Sequence, residues 1–478
     1  MNKIFISILA IASVLSAAPK GYDFKHLKEL PPKDSCKVYG DKIRRTMHLL
    51  STSTKERPNK VKILFYGQSI TRQDYSRKII EAQLREKFPH AQLEVLNPAI
   101  GGYTAPKSVH TMFHTLIPDQ PDLVVFHVYG GEKDGNYEQI VKNIRKYTTA
   151  ELIEVTHHLD DFCDRVEERN AASVHRKEIA EKYDSELVDV RKDWEEYLSK
   201  HCSKVEDFLT DKIHLNRHGG ELWGALQARH FEVQKADPRK RQGRISRVDL
   251  KKSKQSLLGL VNYDPDQWVK TCTGLKNKVP NARLEVHFMG SRVDVISLKG
   301  CGMADILVDG KPPSEHLETW AATLPSPTPI DYRPGIMRLG LGGKPVEETW
   351  TLTANSVNGD GKEFNFSLRG SVSGGQGCGD HKSVFRSSNG VIELQPMMFR
   401  FADAISIKKK PLSVPFEVKW DVYNTSLDEW KFEGASEENP SGQVTLVQQL
   451  PNTKHVLEII PKSGQVEIGE VLIYRPGF

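Results

Sequence analysis

Beyond the first eighteen residues the chain has no apolar run long enough to cross a bilayer, so no membrane span is expected there. It has no Cys-x-x-Cys pair, which argues against a zinc site, and no internal repeat or low-complexity tract. Neither sign of charge dominates: 67 Lys and Arg are scattered among 62 Asp and Glu. That leaves no basic stripe of the kind that binds nucleic acid. Cysteine is sparse, with Cys36, Cys163, Cys202, Cys272, Cys301 and Cys378 widely and irregularly spaced.

What is present suits folded domains. The 478 residues allow two or three of them, with 38% hydrophobic and 27% charged side chains. Residues 1–18 place one lysine before a short apolar run that ends in small residues, Ser16 and Ala18. This predicts a cleaved signal peptide, a secreted or periplasmic protein, and no membrane anchor after cleavage. Export permits disulfides, and Cys163 with Cys202 is the expected pair because both fall in predicted loops.

A lead-in segment, 19–59, precedes a region of alternating strand and helix at about 60–234. Strands are expected at 61–66, 93–97, 122–129, 151–155 and 186–190, and helices at 76–88, 137–147, 174–183 and 219–231. The near-continuous apolar run at 122–129 fits a parallel strand buried on both faces. Strand–helix alternation predicts a three-layer α/β/α sandwich around a parallel sheet. A polar, basic stretch at 235–249 reads as a linker. From 250 to 478 short alternating strands punctuated by Gly, Pro and Asn predict an all-β sandwich or jelly roll, in one or two modules.

In an open parallel sheet, ligands bind beyond the carboxyl ends of the strands. Four segments fall there: Gly67-Gln68-Ser69, Asn97 to Gly102, Tyr129 to Asp134, and Asp211-Lys212-Ile213-His214. A serine, glycine amides, and an aspartate three residues before a histidine are the parts of acyl transfer. Thr156-His157-His158-Leu159-Asp160-Asp161 resembles a metal cluster, but adjacent strand-end histidines point to opposite faces. It is read as a rim loop, with His157 lining the cleft. His127 is expected in the core, Asp189 in a structural hydrogen bond, and Tyr103, Tyr129 and Trp223 in packing.

The order and spacing of Gly67-Gln68-Ser69, Ala99 to Gly102 and Asp211 to His214 resemble the SGNH or GDSL-type serine hydrolases, over residues 60–232. The resemblance implies a flavodoxin-like fold with Ser69 as nucleophile, His214 as general base and Asp211 as its orienting acid. It implies the N–H groups of Ser69 and Gly101 as oxyanion donors. Gln68 replaces the usual aspartate, and Glu132 falls where the family places an oxyanion-donating Asn. Gln68, Gly102 and Glu132 are expected to line the site with His157. The Gly-Gln-Ser block also resembles that of sialic-acid acetylesterases, and the β region is similar to modules that accompany carbohydrate esterases. Together these imply deacetylation of a polysaccharide or oligosaccharide without metal or organic cofactor. The alternatives are a non-catalytic glycan-binding protein on a degenerate hydrolase scaffold, and a lipid or thioester hydrolase.

Overall fold

The computed structural model describes residues 24–235 and 244–477. The predicted signal peptide and most of the predicted linker therefore lie outside the described residues. The described chain divides into two compact units. The first takes in residues up to 108, 120–145 and 150–235; the second takes in 109–119, 146–149 and everything from 244.

The first unit is built on a five-stranded parallel sheet of β1 (Lys60–Gly67), β2 (Gln92–Leu96), β3 (Leu123–His127), β4 (Glu151–Val155) and β5 (Glu186–Val188), in the order β2-β1-β3-β4-β5. All five residues of β3 and all five of β4 are buried. Such strands need helices on both faces, and Tyr75–Lys87, Ala105–Thr115, Asn136–Tyr147, Val166–Lys182, Val190–His201 and Arg217–Ala228 alternate with them along the chain. The chain reverses direction across the sheet between β1 and β3, where Gly67 pairs with His127. Helices Tyr75–Lys87 and Arg217–Ala228 pack closely because Gly220 and Gly224 carry no Cβ to strike Tyr75 and Ile79.

The lead-in segment belongs to this unit, held by carboxylates of distant elements. Glu221, with no exposed surface, accepts from the backbone N–H groups of Lys25 (3.3 Å) and His26 (2.9 Å). Glu186 accepts from the N–H groups of Gly40 and Lys42, at 2.9 and 3.1 Å. Glu151 caps helix Arg44–Ser51, accepting from the N–H groups of Arg45 and Thr46 at 2.9 and 2.8 Å. Unpaired N–H groups and positive dipole at a helix N-terminus favour a carboxylate there.

The second unit is antiparallel. Its larger sheet pairs Arg292–Val308 with Thr453–Arg475 along almost their full length. Strands from Glu348 to Asp380 and Phe416–Asn424, with Trp320–Ala322, form a second sheet whose sequence is inserted between strands of the first. Arg244–Asp249, expected in the linker, is a strand paired with Thr453–Arg475. Residues 109–119, expected in the α/β region, group here. His114 donates from Nδ1 to Ala322 O at 2.8 Å and accepts at Nε2 from Leu339 N–H at 3.3 Å. Gln448 Nε2 donates to Pro118 O at 3.0 Å.

All six cysteines are exposed and free, which corrects the expected Cys163–Cys202 bridge. Cys163 opens a short 3-10 turn, while Cys202 ends helix Val190–His201 in a left-handed conformation. Among the described residues no helix is long and apolar enough to cross a membrane.

Candidate active site

Strand β1 ends on Gly67, where a Cβ would strike the His127 carbonyl oxygen and the Thr71 hydroxyl. Only glycine allows this close approach of the strand end to His127 and Thr71. Gln68 is buried, and half-buried Ser69 opens the single helical turn Ser69–Arg72. The N–H groups of a first helical turn have no partner within the helix. The turn is closed by Gln73, whose N–H donates to Ser69 O at 3.0 Å.

The segment after β2 is tied to this turn. Asn97 Nδ2 donates to Thr71 O at 2.9 Å and to Asp74 Oδ1 at 2.8 Å, and Ile100 N–H donates to Gly67 O at 3.2 Å. Gly101 is buried beside exposed Gly102, whose φ of 77° is in the left-handed region.

After β3 the chain turns through Gly130 and Gly131, both at positive φ. A Cβ on Gly131 would strike Ala105 and the Tyr137 backbone. Glu132 Oε1 accepts from Arg176 Nη2 at 3.0 Å. Arg176 has a fully buried side chain and also donates to Val128 O and to Val155 O. Glu132 is thus the counter-ion of a buried guanidinium.

The residues after β4 are interior. His157 is 1% exposed and stacks on Tyr129 with ring centroids 4.0 Å apart. This corrects its placement in the cleft lining. Its Nδ1 lies 3.1 Å from His127 Nε2 and 3.3 Å from Arg176 Nη1, so the imidazole is useful as an acceptor. Burial, reinforced by the Arg176 charge, holds His127 and His157 well below the ordinary histidine range. His158 is also buried, and its Nε2 donates to Ile213 O at 2.9 Å. Burial lowers it to about 4, against the raising effect of that hydrogen bond. The pair avoids opposite-face exposure because both rings find polar partners inside. Asp189, after β5, accepts from Thr156 Oγ1 at 3.3 Å and pairs with Lys177 at 2.7 Å, a structural role.

The loop before the last helix brings Asp211 and His214 together. Asp211 Oδ2 lies 2.8 Å from His214 Nδ1, while Oδ1 accepts from the N–H groups of Ile213 (2.8 Å) and His214 (2.7 Å). Burial opposes ionisation of Asp211, but these two amides and the imidazole outweigh it and hold the acid at about 2. A carboxylate at Nδ1 fixes the proton there and leaves Nε2 as the basic nitrogen. The loop is pinned on several sides: Thr210 N–H donates to His214 O at 2.8 Å, Asp161 N–H to Lys212 O at 2.8 Å, and His158 to Ile213 O.

Gln73 joins this loop to the Ser69 turn. Its Nε2 donates to Leu215 O at 2.7 Å, and its Oε1 accepts from Leu215 N–H at 3.2 Å. Gln73 escaped the sequence reading, and His158, read there as part of a rim loop, is instead an interior support of the Asp211–His214 loop. A glutamine carries no chemical signature that would mark Gln73 as a support of that loop.

No family model and no curated protein matches the chain. Among solved structures, the acetyl xylan esterase AlAXEase is 20% identical, with a TM-score of 0.31, covering 35% of this chain and 97% of its own. Axe2, an acetylxylan esterase from Geobacillus stearothermophilus, is 18% identical, with a TM-score of 0.33, covering 38% of this chain and 100% of its own.

Proposed function

We propose that the α/β unit is a serine esterase that removes O-acetyl or similar short acyl groups from a polysaccharide or oligosaccharide. One observation carries this reading. Asp211 holds His214 Nδ1 at 2.8 Å on a loop that Gln73 clasps to the turn beginning with Ser69. This supports Ser69 as nucleophile, His214 as a base with its proton fixed on Nδ1, and Asp211 as the orienting acid.

In the reaction, His214 Nε2 takes the Ser69 hydroxyl proton as Oγ attacks the ester carbonyl. The N–H groups of Ser69 and Gly101 receive the oxyanion. The carbonyl re-forms, the sugar leaves as an alcohol with the proton from His214, and an acyl-serine remains. Water, deprotonated by His214, then releases acetate and restores Ser69. No metal or organic cofactor enters these steps. We place the enzyme outside the cytoplasm, on the strength of the N-terminal segment.

Acetylated xylan and acetylated pectin are the substrates to try first. Acetate release by the wild type that disappears in Ser69→Ala is the expected result; equal release by both overturns the reading. The Glu132–Arg176 pair supports a second reading, a glycan-binding protein that has lost catalysis, because that carboxylate stands in place of an oxyanion donor. A serine-directed fluorophosphonate separates the two: the esterase labels on Ser69, and a dead scaffold does not.

A further inference from the structure

We propose that Gln73 is the positioning residue that sets the register between nucleophile and base; this rests on the esterase reading above. Its backbone N–H donates to Ser69 O at 3.0 Å, so it closes the nucleophile's own turn. Its side-chain amide uses both ends on Leu215, the residue after His214, donating at 2.7 Å and accepting at 3.2 Å. One residue therefore touches the turn of Ser69 and the loop of His214, 142 positions apart in sequence from Leu215.

The alternative supports of the loop do not reach Ser69. His158 anchors Ile213 to the interior beyond β4, and Asp161 anchors Lys212 to the segment after it. Thr210 and Asp211 hold His214 within its own loop. Those contacts fix the shape of the loop. The Gln73 amide fixes where that shape sits against the serine.

Glutamine suits this task because its amide offers one donor and one acceptor on a neutral head. A carboxylate in the same place loses the donor and faces the Leu215 carbonyl with like charge. A thioether of similar length fills the space and makes neither bond. Displacement of a catalytic group by about 1 Å lowers a rate on the order of a hundredfold.

The test uses the full chain as wild type, Ser69→Ala, Gln73→Met and Gln73→Glu. Steady-state acetate release, fluorophosphonate labelling rate, thermal melting and hydrogen exchange at the Leu215 amide are measured on each. Both Gln73 variants are expected to lose about 10- to 100-fold in kcat with KM within about twofold. Labelling slows by the same factor and the Leu215 amide exchanges at least about tenfold faster, while melting moves little. A merely structural glutamine would lower melting and the amount of active enzyme without slowing labelling per folded molecule. Wild-type kcat and labelling in both Gln73 variants overturn the positioning role and leave the esterase reading standing. Undiminished release by Ser69→Ala overturns the esterase reading and, with it, the role given to Gln73. If Gln73→Met does not fold, Gln73→Glu, nearly isosteric, carries the decision.

Discussion

Each unit holds an Asp–His pair with the same separation. In the α/β unit His214 Nδ1 lies 2.8 Å from Asp211, and in the β unit His455 Nδ1 lies 2.8 Å from Asp309. The difference is at the other ring nitrogen. His455 Nε2 meets Pro451 O at 2.9 Å and Thr453 Oγ1 at 3.0 Å, and its side chain is 8% exposed. The His214 side chain is 37% exposed, and nothing in the described structure occupies its Nε2. A carboxylate behind an imidazole is therefore common to a brace and to the base proposed here. What separates them is whether the far nitrogen is left for a reactant.

The two pairs should respond oppositely to the same change. His214→Asn is expected to lower acetate release at least about 10⁴-fold without loss of melting temperature. His455→Asn should leave turnover within about twofold and cost about 1 kcal/mol of stability in denaturant titration. Loss of turnover in the second variant would erase the distinction.

Glycine sharpens the same contrast. Gly67→Ala forces a methyl against the His127 carbonyl and the Thr71 hydroxyl, and is expected to destabilise by about 1–3 kcal/mol and to displace Ser69. Gly359→Ala in the β unit meets nothing within 4 Å, and is expected to change stability by less than about 0.5 kcal/mol. Urea titration of both variants checks this.

Acid should also part the units. His127 and His157 are held well below 6.5 and His158 at about 4, chiefly by burial. A histidine lowered in the folded state binds its proton first on unfolding, so its contribution is present above pH 6.5 and is lost as pH falls toward the folded value. Buried Glu154, raised to about 7 by burial, acts in the other direction between 4.5 and 7 but is outnumbered. In the β unit His114 is held at about 4 and His110 is also lowered, both chiefly by burial. Between pH 6.5 and 4.5, hydrogen exchange should rise earlier in β3 and β4 than in the paired strands Arg292–Val308 and Thr453–Arg475. A uniform rise would contradict this.

The last effect concerns the helix cap. Glu151→Gln keeps one acceptor and loses the charge at the start of Arg44–Ser51, and is expected to cost about 1 kcal/mol by thermal melting.

The parallel strands were legible because burial on both faces leaves runs such as Leu123 to His127 almost unbroken. Helix Asn136–Tyr147 was legible for its stripe of Tyr137, Ile140 and Ile144. Helix Val190–His201 was not: it starts directly after Asp189 with no turn residue, and its buried face relies on Trp194 and Tyr197. Short strands punctuated by glycine were expected in the β region, but Arg292–Val308 runs on through Gly300 and Gly302 with register shifts. Asp211 and His214 could be found because their contact is local, three residues apart. The Glu132–Arg176 and Gln73–Leu215 contacts join residues 44 and 142 positions apart, and neither residue type announces a partner at that range.

The carboxylate clasps on the lead-in segment also order events in time. The backbone of Lys25 and His26 is held by Glu221, 196 and 195 positions later. At about 5–20 residues per second of synthesis, those amides wait roughly 10–40 s for their acceptor to be made. The first described residues of the chain to be synthesised are thus among the last of the α/β unit to lock. Docking of helix Arg217–Ala228, which carries Glu221 and directly follows the His214 loop, ties the beginning of the unit to its last described helix.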